Sequence, residues 1–164
     1  MSAQNFDLIF KKIVDVAKSI LIKQNVLSTH AIVVSSGNKG INLIYVNLPP
    51  DKQKWHDTIK YVVKETNAFM YALVADTWYY SMPRETGIVD EALGNLKPAG
   101  QHPNKKEAVQ IMAYTKYGVS GNAFIKYNRL PSGSVKITST AISSGKLTDN
   151  LIGNVFGGKC HRRR

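Results

Sequence analysis

The chain of 164 residues carries 22 lysines and arginines against 11 acids, a formal net charge of +11, and 43% of its residues are hydrophobic. That length suits one domain (residues 1–156) with a basic tail (157–164), and it is enough chain to bury a core without staples. The single cysteine, Cys160, excludes an intramolecular disulfide and a cysteine-based metal site within one subunit, and fits a reducing, cytoplasmic setting.

The first apolar residues are interrupted by Asp7, Lys11, Lys12, Asp15 and Lys18, which is not the pattern of a secretory signal. No uninterrupted apolar run approaches the ~18 residues of a membrane span. The cationic surplus favours polyanion partners: nucleic acid, an anionic membrane surface or an acidic protein.

Residues Asn5 to Lys23 read as an amphipathic helix, with Phe6, Phe10, Ile13, Ala17, Ile20 and Leu21 at three- and four-residue spacing. Asn5 is its expected N-cap, with Asp7 in the first turn. Ile9, Val14 and Val16 widen the stripe, so the helix is either well buried or also contacts another subunit. His30 to Ser35 and Ile41 to Leu48 read as strands joined through Ser36-Gly37-Asn38-Lys39-Gly40, a turn rather than a phosphate loop, since P-loop spacing is absent. A second helix is expected from Pro49-Pro50-Asp51, with Asp51 as cap, to about Glu65, and Trp55, Ile59 and Val62 or Val63 form its apolar face. Lys52, His56, Lys60 and Lys64 stand four apart and line one side of it. Such a stripe is either a solvated outer face or a surface that follows a phosphate backbone.

Ala68 to Tyr80 is the longest apolar run. Read as a strand, it sends Phe69, Tyr71, Leu73, Ala75 and Thr77 to one face and Met70, Ala72, Val74, Asp76 and Trp78 to the other. Both sets are largely apolar, as in a strand covered on both sides. A helix is the competing reading, because Ala, Leu and Met are good helix formers. Ser81 to Asn104 is a long irregular stretch that borders any site at the end of this strand. The candidate pocket is Asp76, Trp78, Tyr80, Arg84, His102 and Glu107.

Lys105 to Tyr117, Asn122 to Asn128 and Val135 to Ile142 read as an antiparallel meander with turns at Gly118–Gly121 and Pro131-Ser132-Gly133. Lys126 and Lys136 flank Phe124 in sequence. Core burial of Phe124 is the reading adopted, over a stacking role on an exposed sheet. Lys146 to Phe156 reads as a last short helix. Lys159, Arg162, Arg163 and Arg164 then charge the tail, which either contacts nucleic acid or only solubilises.

The metalloprotease, nucleophile-elbow, dinucleotide and Cys-x-x-Cys signatures are all absent, and no cofactor motif is found. The order Leu73-Val74-Ala75-Asp76-Thr77-Trp78, then a proline-rich loop, then His102-Pro103-Asn104-Lys105-Lys106-Glu107-Ala108-Val109 resembles small α+β proteins of phage and bacterial genomes. In these a strand ending in acid-x-Trp precedes a loop and a Pro-x-basic-basic-Glu strand start. The likeness spans about residues 69–115, carries no activity with it, and implies a cytoplasmic location (host cytoplasm or virion, if viral).

The expected fold is α+β in the order α-β-β-α-β-β-β-β-α, with a mainly antiparallel sheet of five to six strands against two or three helices. The expected function is a non-enzymatic, phage- or mobile-element-like binding protein that contacts nucleic acid through Lys52, His56, Lys60 and Lys64 and through Arg162, Arg163 and Arg164. The alternative is a protein-interaction module, either a host-factor inhibitor or a homo-oligomeric assembly component. An enzyme ranks third and would need a pocket joining Asp76, Trp78, His102 and Glu107.

Overall fold

A computed structural model describes residues 3–81, 98–101, 103–146 and 155–156. It opens with helix α1, Ala3–Gln24. Phe6, Phe10, Ile13, Val14, Ala17 and Leu21 are buried along one face. The helix begins before Asn5, so that residue lies inside it and is not its cap, and the first turn holds no acid. The stacked pair Phe6 and Phe10, with centroids 5.6 Å apart, anchors the opening turns by burial, which commonly outweighs capping in fixing a helix end.

Strands β1, His30–Gly37, and β2, Gly40–Asn47, form a hairpin in which Gly37 pairs with Gly40. Both strands run further into the turn than the glycine and asparagine spacing suggests. Asp51 caps a single 3-10 turn, Lys52–Lys54, accepting a hydrogen bond from Gln53 N at 3.0 Å. Helix α2 starts only at Trp55 and ends at Glu65. The expected continuous helix from Asp51 is therefore two elements. The Trp55 indole donates to Pro49 O at 2.7 Å and fastens this entry.

The apolar run is strand β3, Met70–Tyr79. It is followed by β4, Lys106–Thr115, β5, Val119–Arg129, and β6, Val135–Lys146. The six strands make one antiparallel sheet in the order β2-β1-β3-β4-β5-β6. The single α+β sheet with helices packed on it is as the sequence predicts, with six strands. The expected last helix falls mostly on residues 147–154, outside the described residues, and β6 continues through Lys146.

Alternation on β3 gives the sheet two unlike faces. Met70, Ala72 and Val74 join Val109, Ile111, Ala123 and Ile125 beneath α1. Tyr71 faces the other way and joins Ile59 and Val63 of α2 with Ala31 and Val33. Helix α1 thus covers one face broadly, while α2 covers the opposite face only near β1 and the start of β3.

The expected turn at Gly118–Gly121 is shorter than its glycines suggest. Thr115 Oγ1 accepts from Val119 N at 3.1 Å and donates to Val119 O at 3.0 Å, closing a tight turn around Gly118, whose φ is +75°. Gly121 is inside β5, opposite Ala113. A Cβ there would stand 2.7 Å from Phe10 Cε1 and 2.9 Å from Phe6 Cζ. The glycine is required by the helix lying on the sheet, not by a turn.

β6 forms one edge of the sheet. Most of it is exposed, and between Lys136 and Lys146 it carries no charged residue. Its pairing with β5 is interrupted by a bulge at Lys126/Tyr127.

Candidate functional site

Asp76 and Glu107 both reach the Tyr127 hydroxyl. Asp76 lies opposite Val109, and Trp78 opposite Glu107. What joins the two acids is a residue the sequence reading missed. Tyr127, opposite Glu107 on β5, is almost fully buried and donates its hydroxyl to Asp76 Oδ1 at 2.9 Å, with Glu107 Oε1 at 3.4 Å. One hydroxyl has one proton and cannot donate to two carboxylates. The shorter bond goes to Asp76, and Glu107 is served by Arg129, whose Nε lies 2.9 Å from Oε2 and 3.0 Å from Oε1.

Arg129 also donates from Nη1 to Asn25 O at 2.7 Å. Asn25 has φ +58° at the end of α1, its N–H returns to Leu21 O at 2.9 Å, and its side-chain oxygen accepts from Val135 N at 3.1 Å. A cation on the terminal carbonyls of a helix complements its dipole. The acidic pair is thus part of a clamp that ties the end of α1 to β5 and β6.

Although Asp76 is an exposed residue overall, loss of water around its carboxyl is the largest influence on it and pushes its pKa up. The nearby Glu107 adds to this, while the bonds from Tyr127 and Thr77 and the charge of Arg129 oppose it. Burial, followed by the bond to Asp76, pushes the Tyr127 hydroxyl up as well, so it stays protonated as a donor.

Trp78 stands nearby with Lys105 Nζ 4.7 Å from its ring centroid. Tyr80 is half-buried just past β3. Arg84 and His102 lie outside the described residues, so the structure places only Asp76, Trp78, Tyr80 and Glu107 of the candidate pocket. Among the described residues no group of three or more His, Cys, Asp or Glu is placed to hold a metal ion.

The basic stripe is divided. Lys52 belongs to the 3-10 turn, with its ammonium 5.8 Å from the Trp55 centroid. His56 Nδ1 lies 3.3 Å from Asp57 Oδ1, which sets an acid beside the stripe. Lys60 and Lys64 remain on the exposed side of α2 and line a groove of about 360 Å³ with Lys116 of the β4–β5 turn and Phe156. The periodicity of one helix could not reveal Lys116, which arrives from the sheet. Arg162, Arg163 and Arg164 lie outside the described residues.

The same face of the sheet continues past α2 without a covering helix among the described residues. There Phe124 is half-buried and belongs to neither core cluster. Its ring meets Tyr79 edge-on, at 5.5 Å and 81°, and Lys126 Nζ sits 4.8 Å from the Tyr79 centroid. The expected burial of Phe124 fails because α1 covers only the opposite face, under which its neighbours Ala123 and Ile125 lie.

No helix of the described residues is long and apolar enough to cross a membrane. No protein-family model, curated protein or solved structure matches the chain.

Proposed function

We propose that the protein binds nucleic acid through the α2 side of its sheet. The observation that carries this reading is the meeting of Lys60, Lys64 and Lys116, from two separate elements, on one groove. Three lysines that line one concave surface concentrate positive potential near it, and phosphate neutralisation drives non-specific nucleic-acid binding. The net charge of +11 acts in the same direction at longer range. Lys52, His56 when protonated, and the tail arginines add to the positive charge of the chain.

Labelled duplex and single-stranded DNA and RNA, titrated across a salt series, test the proposal. The proteins compared are the full chain, a version ending at Phe156, and Lys60→Ala/Lys64→Ala/Lys116→Ala. Each lost phosphate contact on duplex lowers the log–log salt slope by about 0.9. The triple variant is therefore expected to lose about 2–3 units of slope. Failure of the full-length protein to bind any of these ligands at low salt would rule out the reading.

A second reading rests on a different surface. Leu8 (69% exposed), Ile41 (44%) and Tyr117 (52%) line a groove of about 390 Å³ with Ile9 and Phe69. An apolar patch of this kind on α1 and the neighbouring turns favours association with protein.

A further inference from the structure

Resting on the nucleic-acid reading, we infer that the face of β3–β6 that no helix of the described residues covers is a platform for single-stranded nucleic acid, with Tyr79 and Phe124 stacking on bases. Five features place it there.

Strand pairing puts Lys106 opposite Tyr79, Lys126 opposite Ala108, and Lys136 opposite Asn128, all on this face. No acid occupies this face among the described residues. Its charge is therefore of one sign, unlike the α1 side, where Asp76 and Glu107 sit.

The aromatic pair is built across strands. Tyr79 on β3 and Phe124 on β5 meet over the intervening β4, where Ala108 is small and fully buried. A larger residue at position 108 would hold the rings apart.

Rings at 81° present a face and an edge together, and Lys126 sets a cation beside them. A nucleotide has the matching parts, a flat base and an anionic phosphate. Base faces are free to stack in unpaired strands but are occupied by neighbouring pairs in a duplex.

Further along, Gln110, Met112, Asn122 and Ser143 border a shallow groove of about 260 Å³. The Gln110 amide donates to the Asn122 side-chain oxygen at 3.4 Å. Paired amides of this kind offer donors and acceptors to the exposed edges of unpaired bases.

The face leads toward the lysine groove. Tyr114, at the far end, stacks on Tyr71 at 5.3 Å, and Tyr71 contacts Phe156 at 5.6 Å, which lines the groove with Lys60, Lys64 and Lys116. From Lys106 to Tyr114 the strand rises about 27 Å at ~3.4 Å per residue, a length that takes several nucleotides.

The test compares affinity for short oligothymidylate and for a duplex of the same length, at one salt concentration. The proteins are wild type, Tyr79→Leu/Phe124→Leu, and the triple lysine variant of α2 and Lys116. Leucine keeps apolar cover over Ala108, and thermal unfolding checks that the fold is intact. Loss of stacking is worth about ten- to a hundred-fold in affinity. The expected result is single-strand preference in the wild type and a loss of that size in the leucine variant, with duplex affinity unchanged. The triple lysine variant is expected to weaken both ligands. Wild-type preference for duplex, or unchanged single-strand affinity in a folded leucine variant, would overturn the platform while leaving the nucleic-acid reading standing. Equal displacement of the oligonucleotide by polyglutamate would also overturn it, since an acidic polypeptide has no bases to stack. Absence of binding to every nucleic acid would remove both.

Discussion

The proton on Tyr127 has two carboxylates in reach and serves Asp76. Asp76 is held in its charged form at some disadvantage, because desolvation pushes its pKa above the ordinary value. A raised acid favours the folded state below its unfolded pKa of about 4, and that advantage is lost as pH rises through its folded pKa. Asparagine keeps the oxygen that accepts from Tyr127 and carries no charge. Asp76→Asn is therefore expected to gain stability relative to wild type on going from pH 4 to pH 7, read as the difference in urea midpoints. A difference that stays constant across this range would show that the Asp76 carboxylate is not held at a disadvantage. Asp76 and Glu107 could be nominated from sequence because acids near a buried strand end are unusual. Tyr127 and Arg129 could not, since their roles depend on strand pairing and on contact with Asn25, 104 residues earlier for the Arg129 bond.

At the scale of elements, α1 and β5 are fitted to one another at Gly121. A methyl group there would overlap Phe10 and Phe6 rings that are themselves buried. Gly121→Ala is expected to destabilise by about 1–3 kcal/mol, the usual effect of overpacking, and adding Phe10→Leu should recover part of it. Denaturant unfolding of the single and double variants checks both. An unchanged Gly121→Ala midpoint would mean the helix can shift off the sheet without loss. In sequence, Gly121 is one of two glycines flanking Val119-Ser120 and looks like turn chemistry. Only the ring positions explain why it is needed. The first two helices, the hairpin and the chain order of helices and strands were legible, because apolar periodicity and turn residues are local signals. The break between the 3-10 turn and α2, and the placing of α1 over the Ala123 and Ile125 side of β5, were not. Both depend on where the elements meet.

For the whole molecule, the sheet gives three surfaces of different character: a clamp under α1, a cationic and aromatic face opposite, and an apolar patch around Leu8, Ile41 and Tyr117. If the patch joins two copies, Leu8→Ser/Tyr117→Ser should shift sedimentation from dimer to monomer and leave oligonucleotide affinity unchanged. A wild-type protein that is monomeric throughout would exclude self-association at this patch. Charge composition alone could not say which lysines share a face, because +11 is a property of the chain and a face is a property of the fold.

The β6 edge has a bearing on handling. From Ile137 to Gly145 it is open, β-prone and uncharged, the kind of strand border on which further strands can add. The register shift near its start interrupts the pairing at one end only. Repulsion between like-charged copies is the other safeguard, and it weakens as salt shortens the Debye length. High salt therefore lets these edges approach. The purified protein should then be least tolerant of crowding in high-salt buffers, and low-salt storage follows from the fold.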